Sequence, residues 1–349
     1  MRKGNERVTS ETLKEELRTQ ALAHGADMVG FANIDRFEGA PREFHPANIY
    51  SGVKTVVVIG LRVLRGLMES LDNQCRIPYN AHGYGGINEQ FMRDLKQRTA
   101  MWLEDHGHSG VPVTQWTGTP QQEPILCHRT AAAAAGLGEF GWSKVFLTKR
   151  FGPLQRFGIV LTDADWPSDP LATVRVCDGC KACVRACPAG AIARDEAVAL
   201  TIGGQTFRHA RVDMFACTQA HHGGLQATHP MPPANFDISE IERRNVARRG
   251  KARDDTEAYV LGLQAAREVE AKYPHPLYGI VGMLGHSCAH CGARGCFRAC
   301  LEHLERKGAL DQKFVHRYRE QGPEALDAAR ARLAARITRM VDGEEVYKE

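Results

Sequence analysis

Cys177-Asp-Gly-Cys180-Lys-Ala-Cys183-Val-Arg-Ala-Cys187-Pro188 packs four thiols into eleven residues with the spacing of a bacterial iron–sulfur loop. In Cys-x2-Cys-x2-Cys-x3-Cys-Pro, three thiolates grip one 4Fe–4S cube and the fourth ligates a second cube. One turning loop can aim three sulfurs at three irons. The proline suits the exit because its φ is fixed and it has no N–H to satisfy. A zinc site needs only two separated Cys-x-x-Cys pairs, so this density points to iron and to electron transfer.

A second cube needs more ligands, and the chain supplies them downstream in Cys288-Ala-His-Cys291-Gly-Ala-Arg-Gly-Cys296-Phe-Arg-Ala-Cys300. Alone, that stretch leaves a zinc knuckle open as the lesser alternative. Beside the first run, whose Cys187 requires a second cluster, it reads as the other half of a paired site. Cys217 lies between the two groups; Cys75 and Cys127 lie outside them. Two cubanes take eight thiolates and nine candidates exist, so one is surplus.

These ligands need scaffolding, and 349 residues at 43% hydrophobic can bury a proper core in two domains. Eleven cysteines would suggest disulfides in a small secreted chain, but here nearly all fall in metal-type spacings. No run approaches the roughly 20 apolar residues of a membrane span, and the polar start resembles no export signal, so a cytoplasmic protein is expected. A net charge of +4 does not call for nucleic acid. The basic cluster from Arg243 to Arg253 reads as a solvated helix face.

Periodicity predicts helices over 10–24, 91–106 and 130–135, and buried strands over 27–32, 54–59 and 157–162. This alternation argues for an α/β or α+β first domain, 1–166, ending at a turn-rich joint over 165–170. A second domain, 167–310, carries both cysteine groups around a charged helical insertion at about 230–280. Beyond Cys300 the pattern predicts helix to Val341, including a helical tail over 311–349. Gly136-Leu-Gly138-Glu-Phe-Gly141 matches G-x-G-x-x-G, but an alanine helix precedes it in place of a strand. Those glycines are expected to make a close turn or to let backbone approach a large flat cofactor.

Three blocks in order, Ala135-Gly-Leu-Gly-Glu-Phe-Gly-Trp-Ser143, Lys149-Arg-Phe-Gly-Pro-Leu-Gln-Arg-Phe-Gly-Ile-Val-Leu-Thr-Asp163 and the cysteine run through Ile192, resemble one block. It is shared by epoxyqueuosine reductases and reductive dehalogenases. The likeness is close over about 125–192 and looser toward the N-terminus. It implies an α+β protein: a nitroreductase-like α/β cobalamin-binding domain, then a ferredoxin-like domain with two 4Fe–4S clusters. It further implies that Cys177, Cys180, Cys183 and Cys300 hold one cluster, and Cys187, Cys217, Cys296 with Cys291 or Cys288 the other.

By the same resemblance, Gly136, Gly138, Gly141 and Ser143 would lie against cobalamin. An external ferredoxin, flavodoxin or reductase would supply electrons for reductive cleavage of a small organic substrate. Proton-donor candidates are His128, Glu123, Tyr84 and Arg129, with histidine first because its ordinary pKa, about 6.5, lies near working pH. Epoxyqueuosine reduction on tRNA and a cluster-only electron carrier are the alternatives. The chain departs from epoxyqueuosine reductases at Glu123-Pro124, where they place Asp before Gly-Pro, and at His128-Arg129, where they place Glu-Arg.

Overall fold

The computed structural model describes residues 10–40, 42–72, 77–114, 126–229, 235–274, 291–316, 318 and 331. Glu123 and Cys288 lie outside them, as do Cys75 and nearly all of the predicted tail.

The first domain is built on four strands: β1 (Met28–Asn33), β2 (Thr55–Arg62), β3 (Gly110–Val113) and, after two short strands β4 (Glu139–Phe140) and β5 (Phe146–Leu147), β6 (Gln155–Thr162). Their order is β1-β2-β6-β3, and every pairing is antiparallel. Of the two open sheet architectures, the protein takes α+β.

The central strand β2 is buried from Thr55 to Leu61, as expected for a sheet covered on both faces. Val57 and Ile59 point to one side, where they join Leu17, Leu95 and Leu103 from helices Ser10–Ala23 and Met92–Asp105. Val56 and Val58 point to the other side, onto Ala131–Ala135 of helix His128–Ala134. Small residues let that helix sit close. A Cβ on Gly30 of β1 would lie 2.6 Å from the Ala135 carbonyl oxygen.

The joint over 165–170 is pinned to the sheet. Asp169 N–H donates to the Phe31 carbonyl, and its carboxylate accepts from Phe31 N–H and from Arg18. Ser168 Oγ accepts from Asn33 N–H. The exposed edge of β1 is thereby covered, which removes a template for strand addition.

The second domain contains a hairpin that periodicity did not foretell, β7 (Ile192–Ile202) and β8 (Gln205–Val212). Its turn is Gly203-Gly204, both at positive φ, which suits a two-residue hairpin. Helix Met214–His221 follows, capped by Asp213 on Ala216 N–H. The predicted insertion forms helices Ser239–Arg249 and Asp255–Lys272. The helix bearing the last two cysteines spans Cys296–Arg306, and the described residues 307–316 after it are not helical, contrary to an unbroken run to Val341. Gly308 adopts φ +64° and Ala309 N–H bonds the Leu304 carbonyl, a glycine-terminated helix end.

Candidate functional site

The G-x-G-x-x-G stretch cradles the first cysteine loop. Gly136 lies against the Pro170 carbonyl, where a Cβ would sit 2.0 Å away, and Gly138 against the Leu147 carbonyl at 2.1 Å. Glu139 Oε1 accepts the backbone N–H groups of Val176 and Cys177, and Trp142 N–H points at Cys177 Sγ at 3.3 Å. Protein backbone, not an open cofactor surface, is what Gly136 and Gly138 meet. Ser143 alone of the four predicted cofactor contacts lines the cavity below, and its hydroxyl also bonds Cys183.

Eight cysteines of the nine candidates are described, and they fall into two neighbourhoods. Burial pushes the Cys300 thiol well up, and the charges acting on it are those of Cys177, Cys183 and Cys180, then Cys296. Burial, then Cys217 and Cys187, pushes Cys296 up to about 12. Burial with Cys296, Cys217 and Cys187 raises Cys291. The sets are therefore Cys177, Cys180, Cys183 and Cys300, and Cys187, Cys217, Cys291 and Cys296. Crowded buried thiols resist ionisation unless a cation is among them, and a bound metal centre would supply it.

Two groups of four thiols are donor sets of the kind that hold 4Fe–4S cubes. Among the described residues, the only trio of candidate ligand atoms within 4.8 Å is Asp178, Cys180 and His303. There the Asp178 carboxylate is already shared by the His303 imidazole and the Lys307 ammonium.

A cavity of about 450 Å³ opens against the second set, with Cys187, Cys217, Cys291 and Cys296 in its wall. Tyr84, Asn88, His128, Arg129, Arg156 and His221 line it as well. Tyr84 comes from an irregular π-helical stretch between Asn80 and Phe91. Its hydroxyl lies 3.0 Å from His221 Nε2, and burial, opposed by Arg156, raises its pKa. Arg156 of β6 bonds the Tyr79 hydroxyl at 3.1 Å and lies over the Tyr84 ring at 5.6 Å. Three buried polar atoms of this wall have no hydrogen-bond partner among the described residues: Asn88 Oδ1, His128 Nε2 and Arg156 Nε. Such atoms are costly unless a ligand satisfies them.

His128 differs from its expected role. Burial, then Lys96, lowers its pKa to about 4, so the imidazole is neutral near pH 7. It bonds the Leu126 backbone while Nε2 remains unpaired, which leaves Nε2 a lone-pair acceptor facing the cavity. Arg129 donates to the Lys144 carbonyl at 2.8 Å, and its charge opposes the rise in the Cys217 pKa that burial and Cys187 cause. Sequence reasoning missed Arg156 and Asn88. The pairing of Tyr84 with His221 was not legible either, since nothing local links residues 137 apart in the chain.

No family model matches the chain. Tetrachloroethene reductive dehalogenases of Desulfitobacterium hafniense and Dehalobacter restrictus are 32% identical over 108 residues, 30% of this chain. The chain spans 18% of the length of those relatives. A solved reductive dehalogenase, described with a mechanism for B12-dependent dehalogenation, aligns over 81% of this chain and 37% of its own, at 18% identity and TM-score 0.49. An epoxyqueuosine reductase solved with a tRNA stem loop aligns over 93% of this chain and all of its own, at 17% identity and TM-score 0.44. Over the matched segment of 108 residues, the chain is similar to the tetrachloroethene reductive dehalogenases.

Proposed function

We propose that the protein is an iron–sulfur reductase that delivers electrons into the cavity for reductive cleavage or elimination on a small organic substrate. The observation that carries this is the placement of one cysteine set. Cys187, Cys217, Cys291 and Cys296 form a wall of the cavity, and Tyr84 and His221 line the same space. A cluster-only carrier needs no such enclosed space beside its second cluster.

The reading includes a corrinoid in the cavity, as the sequence resemblance implies. When bound, it supplies a cobalt centre that can be reduced to a strong nucleophile and reductant. Asn88 Oδ1 and the neutral His128 Nε2 would accept hydrogen bonds from the ligand, and Arg156 Nε would donate one. Fit therefore rests on three unsatisfied atoms that lack partners otherwise.

Tyr84 is the best-placed proton source. Its raised pKa keeps the phenol protonated, and a reduction that releases an anion needs such a donor within hydrogen-bond reach. Loss of the proton leaves a phenolate under the Arg156 guanidinium, which favours the charge, and His221 can return the proton from its 3.0 Å position. Arg129 adds a second cation beside the cavity, suited to an anionic leaving group.

The test is anaerobic purification after expression with cobalamin, followed by acid release and an assay of halide freed from chlorinated organic compounds. Stoichiometric corrinoid, with halide release that Tyr84→Phe abolishes, supports the reading. Full clusters without retained corrinoid, and with no turnover, would sink it in favour of an electron carrier.

A further inference from the structure

The first cysteine set has its own opening, which shares no lining residue with the cavity. A groove of about 580 Å³ is lined by Cys177, Gly179, Trp142, Arg175, Lys181 and Arg208. Arg175 and Arg208 are exposed. Neither they nor Lys181 form an ion pair with any described residue. The groove's two acids are occupied: Glu139 holds the Val176 and Cys177 N–H groups, and Asp178 holds His303 and Lys307. Three cations against two carboxylates leave the groove's lining with a positive charge in excess.

Geometry connects this opening to the first cluster ligands. Lys181 stands at positive φ with its ammonium over the Trp142 ring, and the Trp142 N–H reaches Cys177 Sγ at 3.3 Å. The groove meets one cysteine set and the cavity meets the other. An electron arriving at the groove has the first cluster before it and the second between that cluster and the cavity.

We propose that this groove docks an acidic one-electron carrier protein, a deepening that rests on reading the cysteines as cluster ligands. In the step, one electron leaves the reduced carrier and the first 4Fe–4S cluster passes from its oxidised to its singly reduced state. No bond forms and no proton moves. Electron-transfer encounters use small interfaces, below about 1,200 Å². In them, opposite charge sets the association rate more than the affinity, and three unpaired cations around one cluster loop provide that steering.

The experiment uses the whole protein with its clusters reconstituted and measures cluster bleaching by stopped flow. Two reductants are compared: reduced flavodoxin, an acidic carrier, and reduced methyl viologen, a small cation. The double variant Arg175→Glu/Arg208→Glu is predicted to be reduced by flavodoxin about tenfold more slowly or worse at low salt. Methyl viologen should reduce it no more slowly than it reduces the unaltered protein. For the unaltered protein, raising ionic strength should slow flavodoxin alone. A control reversal at the distant Arg243→Glu should leave the flavodoxin rate unchanged. Equal flavodoxin rates for the double variant and the unaltered protein, both with full iron, would overturn the docking site while leaving the clusters intact. Equal slowing by the control would overturn it too. Protein that takes up no iron would overturn the cluster reading itself.

Discussion

The Asp178 carboxylate lies 2.9 Å from His303 Nε2 and accepts its N–H. This contact ties the loop of Cys177, Cys180 and Cys183 to the helix that bears Cys300. Lys307 adds an ion pair one turn further along that helix, and Asp178 Oδ1 accepts Cys180 N–H within the loop. One carboxylate thus holds together the two chain segments that carry the first cysteine set.

Asp178→Asn keeps the shape but gives up the ion pair, so the loop and helix should separate more readily. The expected outcome is native far-UV circular dichroism with faster loss of about four of eight irons to a chelator. The EPR signal of the second cluster should persist.

The cysteine partition predicts separable losses. Cys300→Ser should remove the first cluster and spare the second; Cys217→Ser should do the reverse. Each variant should retain about half of the iron and sulfide, read by iron assay and EPR. If Cys217→Ser kept both clusters, Cys217 would be no ligand.

His128 gives a pH signature. Its pKa falls from 6.5 in the unfolded chain to about 4 when folded, so the unfolded state binds the extra proton between those values. Its contribution to stability is therefore whole above about pH 6.5 and is lost as pH falls toward 4. His128→Gln should flatten that part of the stability profile, measured as the difference in Tm between variant and parent across pH 4–7.

Asp72 is buried and accepts from Arg298 and from the Tyr318 hydroxyl. Arg298→Met leaves that carboxylate without its cation, at a cost of about 1–3 kcal/mol. Denaturant titration should show the loss, and Asp72→Asn in the same background should recover part of it.

Legibility followed sequence distance. The run from Cys177 to Cys187 stands out because its thiols are neighbours in sequence, and β2 could be read because its apolar residues are continuous. The hairpin of β7 and β8 was missed because β7 is mostly exposed, so no apolar alternation marks it, although Gly203-Gly204 was a turn signal. The meeting of Tyr84 with His221, and of Arg156 with both tyrosines, arises only when strand, π-helical turn and cysteine-bearing helix converge. His128 looked like a proton donor by its ordinary pKa; burial beside Lys96 makes it an acceptor. The helix after Cys300 overran in the reading because Gly308 was given too little weight as a terminator.

The most direct measurement is metal and sulfide analysis of anaerobically prepared protein, with EPR after one-electron reduction. The account predicts about eight irons and eight inorganic sulfides per chain, and two reduced-cluster signals that Cys300→Ser and Cys217→Ser remove one at a time. Stoichiometric zinc without sulfide would contradict it.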